Sequence, residues 1–221
     1  MKNSDEYIKQ RKEMVREQIK ARGIKSPLVL DALFKVKRHL FVPLKLKDIA
    51  YYDGPLPIGK EQTISQPYIV ALMTELLDLK KSDRVLEVGT GSGYQAAVLA
   101  EIIDEVYSIE IIEDLYVETK EKLNNLGYDN IYLKLGDGSK GWKEKAPFDK
   151  IIVTAAALSR IPQSLSDQLK EGGIIVIPVG EWQQELILGT KIDGEIKVEN
   201  IIPVRFVPLV ENDSNNISEI K

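Results

Sequence analysis

The 221-residue sequence predicts an α/β protein: a mostly parallel, seven-strand sheet covered by helices, preceded by an N-terminal helical extension. Two observations carry that reading. From Ser65 onward, short apolar runs alternate with segments of helical period, the pattern of βα units. The central runs, such as Ile151-Ile152-Val153 and Ile174-Ile175-Val176-Ile177, are apolar at every position. A strand with one wet face would alternate, so these are buried on both faces of a parallel sheet.

Each element has its own warrant. Residues 6–22 read as an amphipathic helix with Ile8, Val15 and Ile19 on one face and Gly23 as its C-cap. Ser26 and Pro27 supply an N-cap and a first-turn proline for a second helix to about residue 36. Residues 38–62 are rich in Pro, Gly and Tyr and lack a clean period. A long irregular stretch inside a compact protein is functional or wraps a core. Ser65 then caps a helix through Leu77, with Ile69, Leu72, Met73, Leu76 and Leu77 facing inward. Strands follow at 84–88, 105–109, 131–135, 150–154 and 174–179, with helices at 94–102 and 115–126 between the first three. Strand-like stretches at 185–191 and 201–209 complete the seven. The expected organisation is therefore 1–64 as N-terminal helices and an irregular substrate-side segment, and 65–210 as the core. Residues 211–221, polar and rich in Asn and Ser, form a flexible tail.

Composition narrows the chemistry. With no cysteine, the chain has no disulfide, thiolate metal site, iron–sulfur cluster or cysteine nucleophile. A single histidine, His39, excludes a multi-histidine metal centre, so no metal is expected. No apolar run is long enough to span a membrane. Residues 1–20 are charged throughout, without an apolar signal core, so the expected location is the cytoplasm. The net charge of −4 divides into +8 over residues 1–47 and −12 over the rest. Between Tyr7 and Phe34 the basic head has no aromatic residue to stack on bases, so it reads as a solvated helix face rather than a nucleic-acid site.

The strongest local signal is Val85-Leu86-Glu87-Val88-Gly89-Thr90-Gly91-Ser92-Gly93-Tyr94, a buried strand running into a glycine-rich turn and a helix. Glycines permit the tight turn and let a ligand approach main-chain N–H groups. Glu87 lies near the end of the first strand, where a carboxylate can meet a cationic amino acid group. Glu110 ends the second strand 21 residues after Gly89, the expected place for an acid that accepts from ribose hydroxyls. The third strand ends in Gly136-Asp137-Gly138, where an acid can pair with an adenine amino group. Three carboxylates on successive strand ends suit a ligand bearing an amine, a ribose and an adenine, and suit a pyrophosphate poorly.

These motifs resemble the seven-strand S-adenosylmethionine-dependent methyltransferases, a family that implies a doubly wound sheet with the cofactor across the carboxyl ends of its first strands. The Asp/Asn-Pro-Pro-aromatic motif of amino-group methyltransferases is replaced after the fourth strand by Thr154-Ala155-Ala156-Ala157. The missing cysteine excludes cytosine C5 methylation of the usual kind.

Upstream, Gln62-Thr63-Ile64-Ser65-Gln66-Pro67 forms a hydroxyl-bearing turn at a helix N-terminus, a cradle for an anion. This passage resembles the protein-L-isoaspartate (D-aspartate) O-methyltransferases. So do Arg38-His39-Leu40-Phe41-Val42-Pro43, Gly136-Asp137-Gly138, Pro178-Val179-Gly180 and Phe206-Val207-Pro208-Leu209. The resemblance implies methyl transfer to the free α-carboxylate of L-isoaspartyl residues, and to D-aspartyl residues, in damaged proteins and peptides, giving an ester that closes to a succinimide. It implies Ser65 as the active-site residue, with Thr63 and Gln66 beside it on the substrate. Glu87, Gly89 and Gly91 would hold the amino acid part of the cofactor, Glu110 the ribose, and Asp137 with Gly138 the adenine. Gln184 matches a glutamine near the site, and Glu61 stands where a glycine is common. A carboxylate acceptor is already ionised at neutral pH, so no general base is needed and Ser65 orients rather than attacks. His39 reads as structural, and a monomer is expected. A small-molecule carboxylate as acceptor, or a non-catalytic cofactor-binding module, are the alternatives.

Overall fold

The computed structural model describes residues 4–210; the expected tail at 211–221 lies outside them. The helices are α1 (Ser4–Glu13), α2 (Pro27–Lys35), α3 (Pro67–Leu76), α4 (Tyr94–Ala100), α5 (Glu113–Asn125) and α6 (Gln163–Gln168). A hairpin of β1 (Leu56–Gly59) and β2 (Gln62–Ile64) precedes the main sheet. That sheet contains β3 (Arg84–Val88), β4 (Glu105–Glu110), β5 (Ile131–Leu135), β6 (Phe148–Val153), β7 (Leu169–Val179), β8 (Gln184–Ile192) and β9 (Glu195–Val204).

The strand order is β5-β4-β3-β6-β7-β8-β9. The first five in that order are parallel, and β8 and β9 are antiparallel additions. The two faces bury alternate residues of the same strands. Val85, Val106, Ile152 and Val176 join a core shared with α1 to α4. Leu86, Val88, Ile151, Val153, Ile175 and Ile177 join a second core with Leu165 and Phe148. This is the doubly wound sheet the sequence implied, and it explains why its central strands are apolar throughout.

Four expectations need correction. The N-terminal helix buries Tyr7, Arg11 and Met14, and Ile8 is exposed. Arg11 is buried although charged: its guanidinium lies over Phe34 and donates to the Tyr51 hydroxyl, and its stem covers apolar surface. A π turn at Met14–Ile19 then brings Ile19 inward. Ser65 does not cap α3: the N-cap is Gln66, and Pro67 takes the first helical position. The inner face of α3 is Val70, Met73, Thr74 and Leu77, with Leu72 and Leu76 only partly buried. Finally, the last strand is β9, ten residues long and starting at Glu195 rather than 201. Its first half, residues 195–200, is polar edge strand with no apolar run to mark it, and the signal for its start is the Asp193-Gly194 turn, both residues at positive φ. By contrast, Gly23 closes the first helical segment at φ 99° and Ser26 caps α2, as expected.

Candidate active site

The chain order reverses at β3 and β6, which are neighbours although β4 and β5 intervene in sequence. Ligands of open α/β sheets bind outside the carboxyl ends of strands at such a switch point. Here those ends carry Gly89 and Thr154. Gly89 sits at φ 95°, and a Cβ there would collide with the Thr154 hydroxyl, which donates to the Gly89 carbonyl at 2.6 Å. Only glycine can turn here. Gly91 follows at φ 52° and packs beneath Ile58 of the β1–β2 hairpin. The hairpin thus roofs a crevice lined by Thr63, Gly89, Gly91, Glu110, Gly138 and Thr154. Its tip is tied across to α5 by an ion pair between Lys60 and Asp114.

The expected cofactor residues divide into those that reach the crevice and those that do not. Gly89, Gly91, Glu110 and Gly138 line it. Gly138 approaches Val88 so closely that a Cβ would overlap that side chain. The Glu110 carboxylate accepts from the main-chain N–H groups of Gly91 at 2.7 Å and of Ile111 and Ile112 at 2.9 Å. Three of its roughly four lone-pair directions are taken by backbone. The Asp137 carboxylate caps its own turn, accepting from the Ser139 N–H and hydroxyl and pairing with Lys140; it does not line the crevice.

Glu87 is wholly buried, its carboxyl accepting from the Ser108 hydroxyl on the neighbouring strand. Thr90 Oγ1 lies 2.6 Å from Ser108 Oγ, so a chain of polar groups links Glu87 to the glycine turn. Burial pushes its pKa up to about 8, with the nearby Glu110 charge adding and the Ser108 hydroxyl opposing. Its second oxygen has no partner, which a neutral carboxylic acid tolerates better than a carboxylate.

Beside the crevice an open groove of about 420 Å³ is walled by Pro55, Ser65, Gln66 and Ile69 on one side and by residues 203–207 on the other. Thr63 and Thr154 line crevice and groove alike. Among the described residues no hydrogen bond engages the Ser65 hydroxyl, while its carbonyl accepts from Arg38 at 2.8 Å. Gln66 donates to the Asp53 carboxylate at 2.8 Å.

Two supporting residues, Arg38 and Thr154, are not marked as site residues by the sequence, and Gln184 is marked only by resemblance, without a role. Arg38 is fully buried, donates to the carbonyls of Ala50 and Ser65, and lies 4.9 Å from the Tyr94 ring centroid. Thr154 was seen only as part of a missing motif, though a polar residue ending a switch-point strand was the available signal. Gln184 is buried and clamps the main chain of Phe206, accepting from its N–H at 2.6 Å and donating to its carbonyl at 3.1 Å. His39 stacks on Tyr7 at 4.0 Å and meets the Tyr51 hydroxyl at 2.8 Å. Burial and then the charges of Arg11, Lys47 and Lys37 lower its pKa to about 4, so it is a neutral structural ring at pH 7. Glu61 occupies the hairpin tip at φ 57°, exposed and outside the groove.

The sequence profile of the protein-L-isoaspartate (D-aspartate) O-methyltransferases matches residues 9–214. The chain belongs to that family. A protein-L-isoaspartate O-methyltransferase of Dictyoglomus turgidum is 55% identical over 208 residues, 94% of each chain. One from Nitrosospira multiformis is 56% identical over 209 residues, 92% of this chain and 88% of the relative. A Plasmodium falciparum member solved with S-adenosyl-L-homocysteine superposes with a TM-score of 0.78 at 30% identity, covering 90% of this chain and 97% of that one. Another solved protein-L-isoaspartate O-methyltransferase gives a TM-score of 0.82 at 30% identity, over 91% of this chain and 66% of its own. As a member of the protein-L-isoaspartate O-methyltransferases, the chain is an S-adenosylmethionine-dependent enzyme with the doubly wound sheet of that family. The glycine cradle, which added Cβ atoms would fill, fits such a cofactor.

Proposed function

We propose that the enzyme methylates the free carboxylate of L-isoaspartyl residues (the α-carboxylate) and of D-aspartyl residues (the side-chain carboxylate) in damaged proteins and peptides, and that the crevice holds the cofactor and the groove the acceptor. The carrying observation is that an open groove meets a glycine-lined crevice at the hydroxyl-bearing residues Thr63, Ser65 and Thr154. When bound, S-adenosylmethionine supplies a methyl group on a sulfonium, an electrophile that an ionised carboxylate attacks directly. The protein's task is then positioning in a partly dry site.

Gly89 and Gly91 receive the amino acid end against main-chain N–H groups. Glu110, held by the Gly91, Ile111 and Ile112 N–H groups, would accept from the ribose hydroxyls. Gly138 forms the floor for the adenine, and Asp137 keeps that turn in shape. Glu87 acts at one remove, through Ser108 and Thr90, as a positioning residue. Ser65, with Thr63 and Gln66, orients the acceptor carboxylate. Among the described residues no general base lines the groove, in keeping with an acceptor that carries its own negative charge. The ester's adjacent backbone nitrogen displaces methanol to give the succinimide without help from the enzyme. An open groove favours a peptide over a small enclosed acid.

No helix among the described residues is long and apolar enough to cross a membrane. We further infer a cytoplasmic monomer without nucleic-acid or membrane partners, in keeping with a basic head whose aromatic residues Tyr7 and Phe41 are buried in the core. The test is methyl transfer from labelled S-adenosylmethionine to two peptides differing only by aspartate or isoaspartate. Base-labile label on the isoaspartyl peptide alone is expected. Label on neither, with cofactor binding intact, would overturn the acceptor assignment.

A further inference from the structure

Among the described residues lining the groove, Arg205 is the one that is ionisable; the others are apolar, hydroxyl-bearing or amide residues. Pro203 to Phe206 line the groove but not the crevice, whereas Thr63, Thr154 and Val207 line both. Arg205 therefore marks the end of the groove away from the reacting methyl. Its origin is fixed. The next residue, Phe206, is held at both N–H and carbonyl by Gln184, and the following carbonyl, of Val207, accepts from the Ala156 N–H at 2.8 Å. Among the described residues no carboxylate pairs with Arg205. Asp53, which touches the groove residue Gln66, is already paired with Arg22. An uncompensated cation is notable in a chain whose residues 48–221 sum to −12.

We propose that Arg205 is a specificity-determining residue that selects acceptor peptides carrying an acidic side chain next to the isomerised aspartate. The inference rests on the acceptor reading given above. Arg205 does not hold the attacking carboxylate. That group must reach the crevice mouth at Thr63 and Thr154, and pairing it with a guanidinium would draw off the electron density it needs to attack. A flanking carboxylate pays neither cost and lies where the guanidinium is.

The test uses isoaspartyl peptides identical except for Glu, Gln or Lys at the positions on either side of the isoaspartate. Against the parent protein, kcat/KM should rank Glu above Gln above Lys at one of these positions, by about two- to five-fold per step, the size of an exposed ion pair. The ranking should shrink in high salt. In Arg205→Gln the Glu and Lys peptides should converge, and in Arg205→Glu their order should invert. A ranking absent in the parent protein, or intact in both variants, would overturn the inference while leaving the acceptor reading in place. Methylation of none of the peptides would overturn that reading and the inference with it.

Discussion

The cofactor crevice and the acceptor groove share Thr63 and Thr154 as a common rim, yet they are built in opposite ways. The crevice floor is local, although the hairpin and residues 207–210 close over it: its glycine turn, Glu110 and Gly138 stand at the ends of three adjacent strands whose register is set by the sheet. The groove is assembled from distant segments, one ending near Ile69 and the other running through residues 203–207. Single buried side chains hold those walls, Arg38 on the Ser65 carbonyl and Gln184 on Phe206. A local site is specified by backbone conformation, and a distant one by side-chain braces.

The largest break in that comparison should come from the local half. Gly89→Ala places a methyl against the Thr154 hydroxyl on a backbone at φ 95°, and should cost about 2–4 kcal/mol of stability. Urea unfolding would measure it, and adding Thr154→Ala should recover part of the loss by removing the collision. In the distant half, Arg38→Met leaves the Ala50 and Ser65 carbonyls without their donors. It should cost about 2–3 kcal/mol in the same assay, and isoaspartyl peptide turnover should fall more than binding of S-adenosylhomocysteine, measured by calorimetry.

The same contrast explains what was legible in the sequence. Strand 84–88, the glycine turn and Glu110 were readable because period and spacing along a short stretch suffice. The Arg38 and Gln184 braces were not, because each acts on main chain 22 or 27 residues away and a polar side chain gives no sign of which carbonyl it will meet. Ser65 was placed on the acceptor, but its helix-capping role failed because Pro67 starts α3 and shifts the cap to Gln66. Glu87 looked like a ligand because it ends a strand. The pleat puts its side chain on the same face as Val85, wholly buried rather than at the crevice, a distinction of one residue that motif reading does not resolve.

Two smaller effects sharpen the picture. Glu87 is largely protonated in the folded protein at neutral pH, whereas an unfolded glutamate is ionised. A raised folded-state pKa contributes stability that is complete below about 4.5 and is lost as pH climbs to about 8. Glu87→Gln does not titrate, so its Tm should gain steadily on the parent protein's between pH 5 and 8; a constant difference would contradict the buried neutral acid. The smallest effect belongs to the hairpin tip. Glu61→Gly relieves a left-handed backbone and should add about 0.5–1 kcal/mol in thermal unfolding, with turnover unaffected because Glu61 stands outside the groove.

The division between a cofactor crevice and an acceptor groove is tested most directly by Ser65→Ala, with peptide kinetics and S-adenosylhomocysteine affinity measured on the same preparation. The account predicts that kcat/KM for an isoaspartyl peptide falls about ten-fold or more, the loss of an orienting hydrogen bond, while the Kd for S-adenosylhomocysteine stays within about two-fold. Equal losses in both quantities, or turnover indifferent to the hydroxyl, would contradict it.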